Sequence, residues 1–484
     1  MPLPDPAPPH VPVRFERSRG IARRMHFDRA VLYVLLTRLW QLVAGPITLL
    51  LIARHFSRDE QGIYYAFNSL LAFQALFDLN VTVVLLIGAG RQWAQLSLDD
   101  TGRVKGQQES LEQLASLTRF GLIWYRAAAL LCVLCVGSAG LFLFQDKNLD
   151  TSDYAAWIVT ILAASAVLAI LPRLAVLQGC HQVLAVNRNL ALQSISASLV
   201  VWASLIAGLG LWAIPASWLM RLTWDLVLVH IIYRRFFLSL AQQAVRAIHW
   251  RTEVWPLQWR LALQAVSYSV LTASFVLALF ETHSEAAAGR MGMTLSVLNM
   301  ILWGGLGWVQ TRVPQLAALG KQNDRTAYNK LFFQIVSLTT VLVTMATFAA
   351  WAGLVLLHAF DISFQNVRLA DRFASTNTFA WMGLGIVAQH LLHCMILYSR
   401  TRQREAFVWP NVVLNSLLTA ALWTLAGSFG EKGVAIASGL ILFGIGLPVW
   451  GFVLAREIRY WKDESRDSSR PVLTNDDNSR AIQP

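Results

Sequence analysis

Long apolar runs, separated by short polar connections, recur from about residue 30 to residue 455. Crossing roughly 30 Å of hydrocarbon takes about 20 helical residues at 1.5 Å each. By that measure the pattern predicts about twelve spans: 30–52, 62–88, 119–144, 154–178, 189–211, 213–236, 255–280, 289–311, 331–357, 376–398, 407–428 and 433–455. Only Leu211 to Pro215 separates the fifth from the sixth, so one long re-entrant pair is the alternative there. The expected fold class is an all-α polytopic membrane protein.

The connections carry the topology signal, because cytoplasmic loops hold the excess of Lys and Arg. With the N-terminus inside, the inner set includes Arg14 to Arg29, Arg91 to Arg119, Arg173 and Arg188, Arg234 to Arg260, Arg312 to Lys330, Arg400 to Arg404 and the tail from Arg456. The outer set is Arg54, Arg58, Lys147, Arg290, Arg368, Arg372 and Lys432, so both termini are expected to face the cytoplasm. The basic stretch 237–253 then links two six-helix halves, 29–236 and 254–456, between tails 1–28 and 457–484 that read as disordered. A weak repeat agrees with two halves of equal orientation: Gly210-Leu211-Trp212-Ala213-Ile214-Pro215-Ala216-Ser217 opens the sixth span and Gly433-Val434-Ala435-Ile436-Ala437-Ser438 the twelfth.

Composition narrows the class. Only 14% of the residues are charged and 56% are hydrophobic, against roughly 25% charged in soluble domains. Nineteen tryptophans suit two membrane interfaces. A net charge of +12 raises nucleic acid as a partner, but the arginines fall in clusters between apolar runs and not on one soluble basic face. Cys132, Cys135, Cys180 and Cys394 lie in or beside apolar segments, which supports neither a disulfide framework nor a zinc site. No metal or other cofactor is expected: His390 and His393, with Cys394 adjacent, lack accompanying carboxylates. No outer connection is long enough for an extramembrane catalytic platform, and no Gly-Lys-Ser/Thr phosphate loop occurs.

Ionisable groups inside lipid cost at least about 2.5–3.5 kcal/mol each at the centre, so they mark partners or wet cavities. Arg38 and Asp78 fall at similar depth, about 12–15 Å from the inner face, and can meet as a pair that either fixes packing or forms a cationic cavity wall with a carboxylate tuning it. Gln41 shares the Arg38 face, and Asn68 and Gln74 share part of the Asp78 face. Arg221 and Asp225, four apart, can pair within the sixth helix, while Arg126 can snorkel to the interface. In the second half Arg260, Gln264, Ser267 and Ser274 line one stripe, and Ser296, Asn299, Trp303, Gly307 and Gln310 another. Such stripes suit a hydrated lumen or polar contacts between helices.

Two stretches resemble the bacterial Wzx-type polysaccharide flippases of the MATE-like exporter superfamily. One is Leu36 to Gly62, LTRLWQLVAGPITLLLIARHFSRDEQG, continuing into IYYAFNSLLAFQ. The other lies between Glu253 and Leu319, with EVWPLQWRLALQAVSYS, AAAGRMGMTLSVLNM and WVQTRVPQLAAL. The resemblance implies a MATE-like pair of six-helix bundles in the bacterial inner membrane. It implies a non-enzymatic transporter that flips an oligosaccharide on a polyprenyl diphosphate by alternating access. Its partners would be that lipid-linked oligosaccharide, membrane lipids, and candidate polysaccharide polymerase and chain-length proteins. The substrate-binding candidates are Arg38, Arg260, Gln41, Asn299 and Trp303, and the coupling or gating candidates are Asp78, Arg221 and Asp225. Two alternatives stay open: a cation-coupled drug or small-solute antiporter of the same superfamily, and an enzyme or assembly subunit of envelope polysaccharide synthesis. The first helix lacks the midway acid of the drug exporters.

The charge pattern makes a topological prediction. Reporters fused after Arg246 and Arg404 should report cytoplasm and one fused near Asp150 the opposite side; reversed signals at any two would overturn the assignment.

Overall fold

A computed structural model describes residues 14–147, 149–244, 255–364, 367–402 and 404–467, with side chains from residue 32 to residue 462 except 255–258, 260 and 261. It divides into two compact units, Met1–Val266 and Ser267–Pro484. Each predicted span is helical. The first unit contains α1 (Arg14–His55), α2 (Arg58–Leu71), α3 (Gln74–Asp78), α4 (Val81–Trp93), α5 (Gln108–Cys132), α6 (Ser138–Phe144), α7 (Thr151–Gly179), α8 (Val183–Ile206), α9 (Ala213–Leu226) and α10 (Arg234–Ala241). Helix α11 (Trp255–Thr282) crosses the division. The second unit continues with α12 (Glu285–Thr311), α13 (Val313–Lys321), α14 (Arg325–Ala359), α15 (Thr376–Arg400), α16 (Val408–Gly439) and α17 (Leu447–Asp467).

Among the described residues nine helices are long and apolar enough to cross a membrane, or ten if α2–α3 and α4, bent by 46°, count as one broken span. The predicted sixth and twelfth spans are not separate in that number, for identifiable reasons. The sixth, α9 continued by a π-helix, Val227–Ile232, carries Arg221, Asp225 and His230 and is not among the nine. The eleventh and twelfth lie in one continuous stretch, Val408–Lys462, interrupted by Gly430 at φ 56°, ψ −140°. Only glycine tolerates that conformation without strain. The fifth and sixth are distinct helices, since Gly208 and Gly210 at φ 73° and 57° turn the chain between α8 and α9. Helix α1 begins at Arg14, within the stretch assigned to the first tail; α10 occupies part of 237–253, and α17 ends at Asp467, within 457–484. The rest of those stretches, 1–13, 245–253 and 468–484, lies outside the described residues.

Breaks in the helices coincide with local chemistry. Ser57 and Glu60 close a reciprocal capping box at the start of α2, at 3.1 and 2.7 Å. Leu79 and Asn80 both adopt left-handed φ, 45° and 57°, and separate α3 from α4. A two-stranded hairpin, β1 (Leu96–Leu98) with β2 (Val104–Gly106), follows. Asp99 Oδ1 closes its turn by accepting from the Arg103 amide at 2.8 Å and from the Thr101 hydroxyl and amide at 2.8 and 2.9 Å. These bonds, the Arg103 amide first, hold its carboxyl below the usual range.

Polar side chains inside the spans are mostly satisfied within reach of their own helix or by one neighbour, as a hydrocarbon solvent demands. Thr48, Thr118, Thr160 and Thr347 each donate to the carbonyl four residues earlier. Indoles join helices: Trp202 donates to Thr48 at 2.8 Å and Trp40 to Ser198 at 3.3 Å, with ring centroids 5.7 Å apart, fastening α8 to α1. In the second unit Trp423 donates to Ser274 at 3.2 Å and Asn415 to Ser267 at 3.2 Å, fastening α16 to α11.

The π-turn Val133–Gly137 between α5 and α6 leaves the Gly137 carbonyl to accept from the fully buried Trp157 indole at 3.1 Å. Gly140 lies directly beneath that ring, where a Cβ would sit 2.3 Å from it. We therefore expect Gly140→Val to destabilise the protein by about 1–3 kcal/mol, read as a lowered thermal unfolding midpoint in detergent. Gly444→Ala, which meets nothing within 4 Å, should leave that midpoint nearly unchanged.

Candidate functional site

The first unit holds a cavity of about 390 Å³ between α1, α8 and α9. Arg38 and Gln41 reach it from α1, Asn187, Gln193 and Ser194 from α8, and Arg221 from α9. Helical spacing explains the grouping: Arg38 and Gln41 are three apart, and Asn187 and Ser194 seven apart, so each pair shares a face. Arg38 Nη1 donates to Gln41 Oε1 at 3.4 Å, and the Arg221 guanidinium lies 5.1 Å from the Trp218 ring centroid. Among the described residues two guanidiniums line this space and no carboxylate does.

The acids expected beside these arginines are engaged elsewhere. Asp78 and Arg38 form no ion pair: Asp78 Oδ1 accepts from Thr82 Oγ1 at 2.5 Å and from the Tyr125 hydroxyl in a short hydrogen bond. Equal depth did not bring the pair together, because the left-handed residues that follow Asp78 end α3 where its carboxylate meets α5. Asp225 and Arg221 are four apart but do not form an ion pair either. Buried Asp225 Oδ1 accepts from Asn189 Nδ2 at 2.9 Å and Gln193 Nε2 at 2.5 Å, both on α8. The signal for this contact was present in the chain: Asn189 and Gln193 are amides four apart, so they share one face of α8.

In the second unit Asn299 lines a smaller cavity, about 60 Å³, with Tyr268, Gln389 and Ser438. Trp303 is exposed and sets its ring edge-on to His393 at 5.9 Å, while Tyr268 meets the same imidazole at 5.8 Å. His390 is buried, with Nε2 3.1 Å from Thr339 Oγ1 and 3.7 Å from Cys394 Sγ. Among the described residues no group of three His, Cys, Asp or Glu side chains is placed to hold a metal. Arg260 lies in α11, but its side chain lies outside the described residues.

No family model matches the chain, and no curated protein matches it in sequence. Solved structures do match. An inward-facing multidrug resistance MATE family transporter of the MOP superfamily superposes with a TM-score of 0.62 at 13% identity, over 87% of this chain and 99% of that one. The lipid II flippase MurJ, in an inward closed conformation, gives 0.58 at 12% identity over 89% and 87% of the two chains. A MOP superfamily transporter from Pyrococcus furiosus gives 0.50 at 10% identity over 90% and 96%. At these identities the likeness is one of fold: this chain is a multi-pass membrane protein with the MATE-like fold, and these neighbours are transporters or flippases, not enzymes.

The Asp225 contacts can be tested directly. Gln193→Leu should remove one of its two amide donors and destabilise by about 1–3 kcal/mol. Adding Asp225→Asn should recover part of that loss, because a neutral amide is less costly to leave half-bonded in an apolar site. Thermal unfolding of the single and double variants measures both, and a neutral Gln193→Leu would remove this account of Asp225.

Proposed function

We propose that the chain flips an oligosaccharide carried on a polyprenyl diphosphate across the bacterial cytoplasmic membrane, by alternating access and with both termini inside. The observation that carries this reading is the cavity lined by Arg38 and Arg221, with no carboxylate in its wall and no ion pair to either guanidinium among the described residues. A diphosphate leaving water needs cationic partners, and guanidinium groups supply planar, paired donors to phosphate oxygens. Gln41, Asn187 and Ser194 add neutral donors and acceptors suited to sugar hydroxyls. The lipid tail can remain in hydrocarbon while the head group passes, and no bond need change. The fold shared with the lipid II flippase MurJ supports the same class of substrate. Membrane lipids, a polysaccharide polymerase and chain-length proteins are the partners this role entails.

A second reading, cation-coupled export of a small solute, draws on Asp78 and Asp225. Each accepts hydrogen bonds only from neutral side chains among the described residues.

Depleting the protein in cells decides the main question: lipid-linked sugar should accumulate on the inner leaflet, and its absence there would refute the flippase. Within that assay, loss of a charge-assisted phosphate contact costs about 1.5–3 kcal/mol, or roughly 10- to 100-fold. We therefore expect Arg38→Lys to retain partial export and Arg38→Glu to abolish it, measured as surface polysaccharide normalised to membrane protein level. The exchange Arg38→Asp with Asp78→Arg should not restore export. Severe loss on Asp78→Asn with Arg38→Ala harmless would favour the antiporter.

A further inference from the structure

A second cavity in the first unit, about 660 Å³, is separate from the one at Arg38 and is lined by Arg119 of α5, Arg173 of α7, His230 of the π-turn after α9, and Arg234 and Phe237 of α10. We propose that it is a binding site for a phosphate anion, and specifically for the head group of an anionic phospholipid.

Four observations converge on it. The three arginines come from three different helices, and among the described residues none of them forms an ion pair or a side-chain hydrogen bond and no carboxylate lines the space. Glu112, the closest acid before Ala115 on α5, accepts from Gln108 Nε2 at 2.9 Å. Like charges lining one space are stabilised by an anion, and guanidinium groups favour phosphate over a monovalent halide because each can give two parallel bonds.

The site is also rigid. The Arg173 guanidinium lies 6.0 Å from the Phe237 ring centroid. Helix α10 is tied to the hairpin by Ser239 Oγ accepting from the Val104 amide at 3.2 Å and by Arg235 Nη1 donating to the Thr101 carbonyl at 3.2 Å. Phe236 and Leu240 of α10 are buried in one apolar cluster with Trp93, Leu96 and Val104.

The surroundings choose the lipid over a soluble anion. Ile231, Ile232 and Leu238 are exposed beside the arginines, at 71%, 52% and 50%. Arginine next to exposed aliphatic surface at a helix end is the arrangement of a membrane interface, where phosphate and acyl chain occur together. A free phosphate would gain nothing from that apolar rim.

Native mass spectrometry of the full chain in detergent, titrated with phosphatidylglycerol or with phosphatidylcholine, tests the proposal without any transport assay, so it stands or falls apart from the flippase reading. The wild type should bind phosphatidylglycerol preferentially. The triple variant Arg119→Gln, Arg173→Gln, Arg234→Gln should bind it about tenfold or more weakly, while Arg188→Gln, outside the cavity, should bind as wild type. Arg119→Lys, keeping the charge, should retain most of the preference. An undiminished preference in the triple variant would overturn the site. If the triple variant fails to fold, Arg119→Gln alone serves, and wild-type binding by it would be equally damaging. Inorganic phosphate displacing the lipid at equal concentration would keep the anion site and overturn its assignment to a lipid.

Discussion

Hydrocarbon offers no hydrogen bonds, so each polar atom in a span must find its partner on its own helix or on one packed beside it. That constraint accounts for more of this chain than its apolar content does. It makes hydroxyls fold back on the preceding turn, as at Thr48 and Thr160. It also makes tryptophans connect helices. Trp202 reaches Thr48 on the first span of one unit and Trp423 reaches Ser274 on the first span of the other. In each case an indole on the fifth span of the unit donates to a hydroxyl on its first. The two units therefore share one way of fastening a helix to their first span.

The same constraint separates what the sequence made legible from what it did not. Spans were legible because length and apolarity are summed over many residues, and neither depends on where a helix faces. Pairing was not. Placing Arg38 opposite Asp78 used depth alone, yet a pair also requires the right rotation about each axis and an unbroken helix. Leu79 and Asn80 break the helix, and Asn80 is the readable part of that signal, since asparagine enters the left-handed region more readily than most residues. Likewise the spacing of Arg221 and Asp225 permits an intrahelical pair, but it says nothing of the competing donors Asn189 and Gln193 on α8.

The π-turns were also beyond reach. Nothing in Val133–Gly137 or Val227–Ile232 marks an extra residue in the helical repeat. Only the neighbour explains the first of them: a buried indole needs an acceptor, and widening the turn frees the Gly137 carbonyl to be one. In the second, the shift falls just before the short helix that carries Arg234 and Phe237, so it sets which way those side chains face.

Engaging the acids with neutral partners has an electrostatic consequence. Had Asp78 and Asp225 paired with Arg38 and Arg221, the α1–α8–α9 cavity would be close to neutral and would have no reason to prefer an anion. Tyr125 and Thr82 hold the one carboxylate and two amides hold the other, so neither acid forms an ion pair with the guanidiniums that line the space. Tyr125, which does not line the cavity, thus fixes where the Asp78 carboxylate sits, and Arg38 keeps Gln41 as its hydrogen-bond partner.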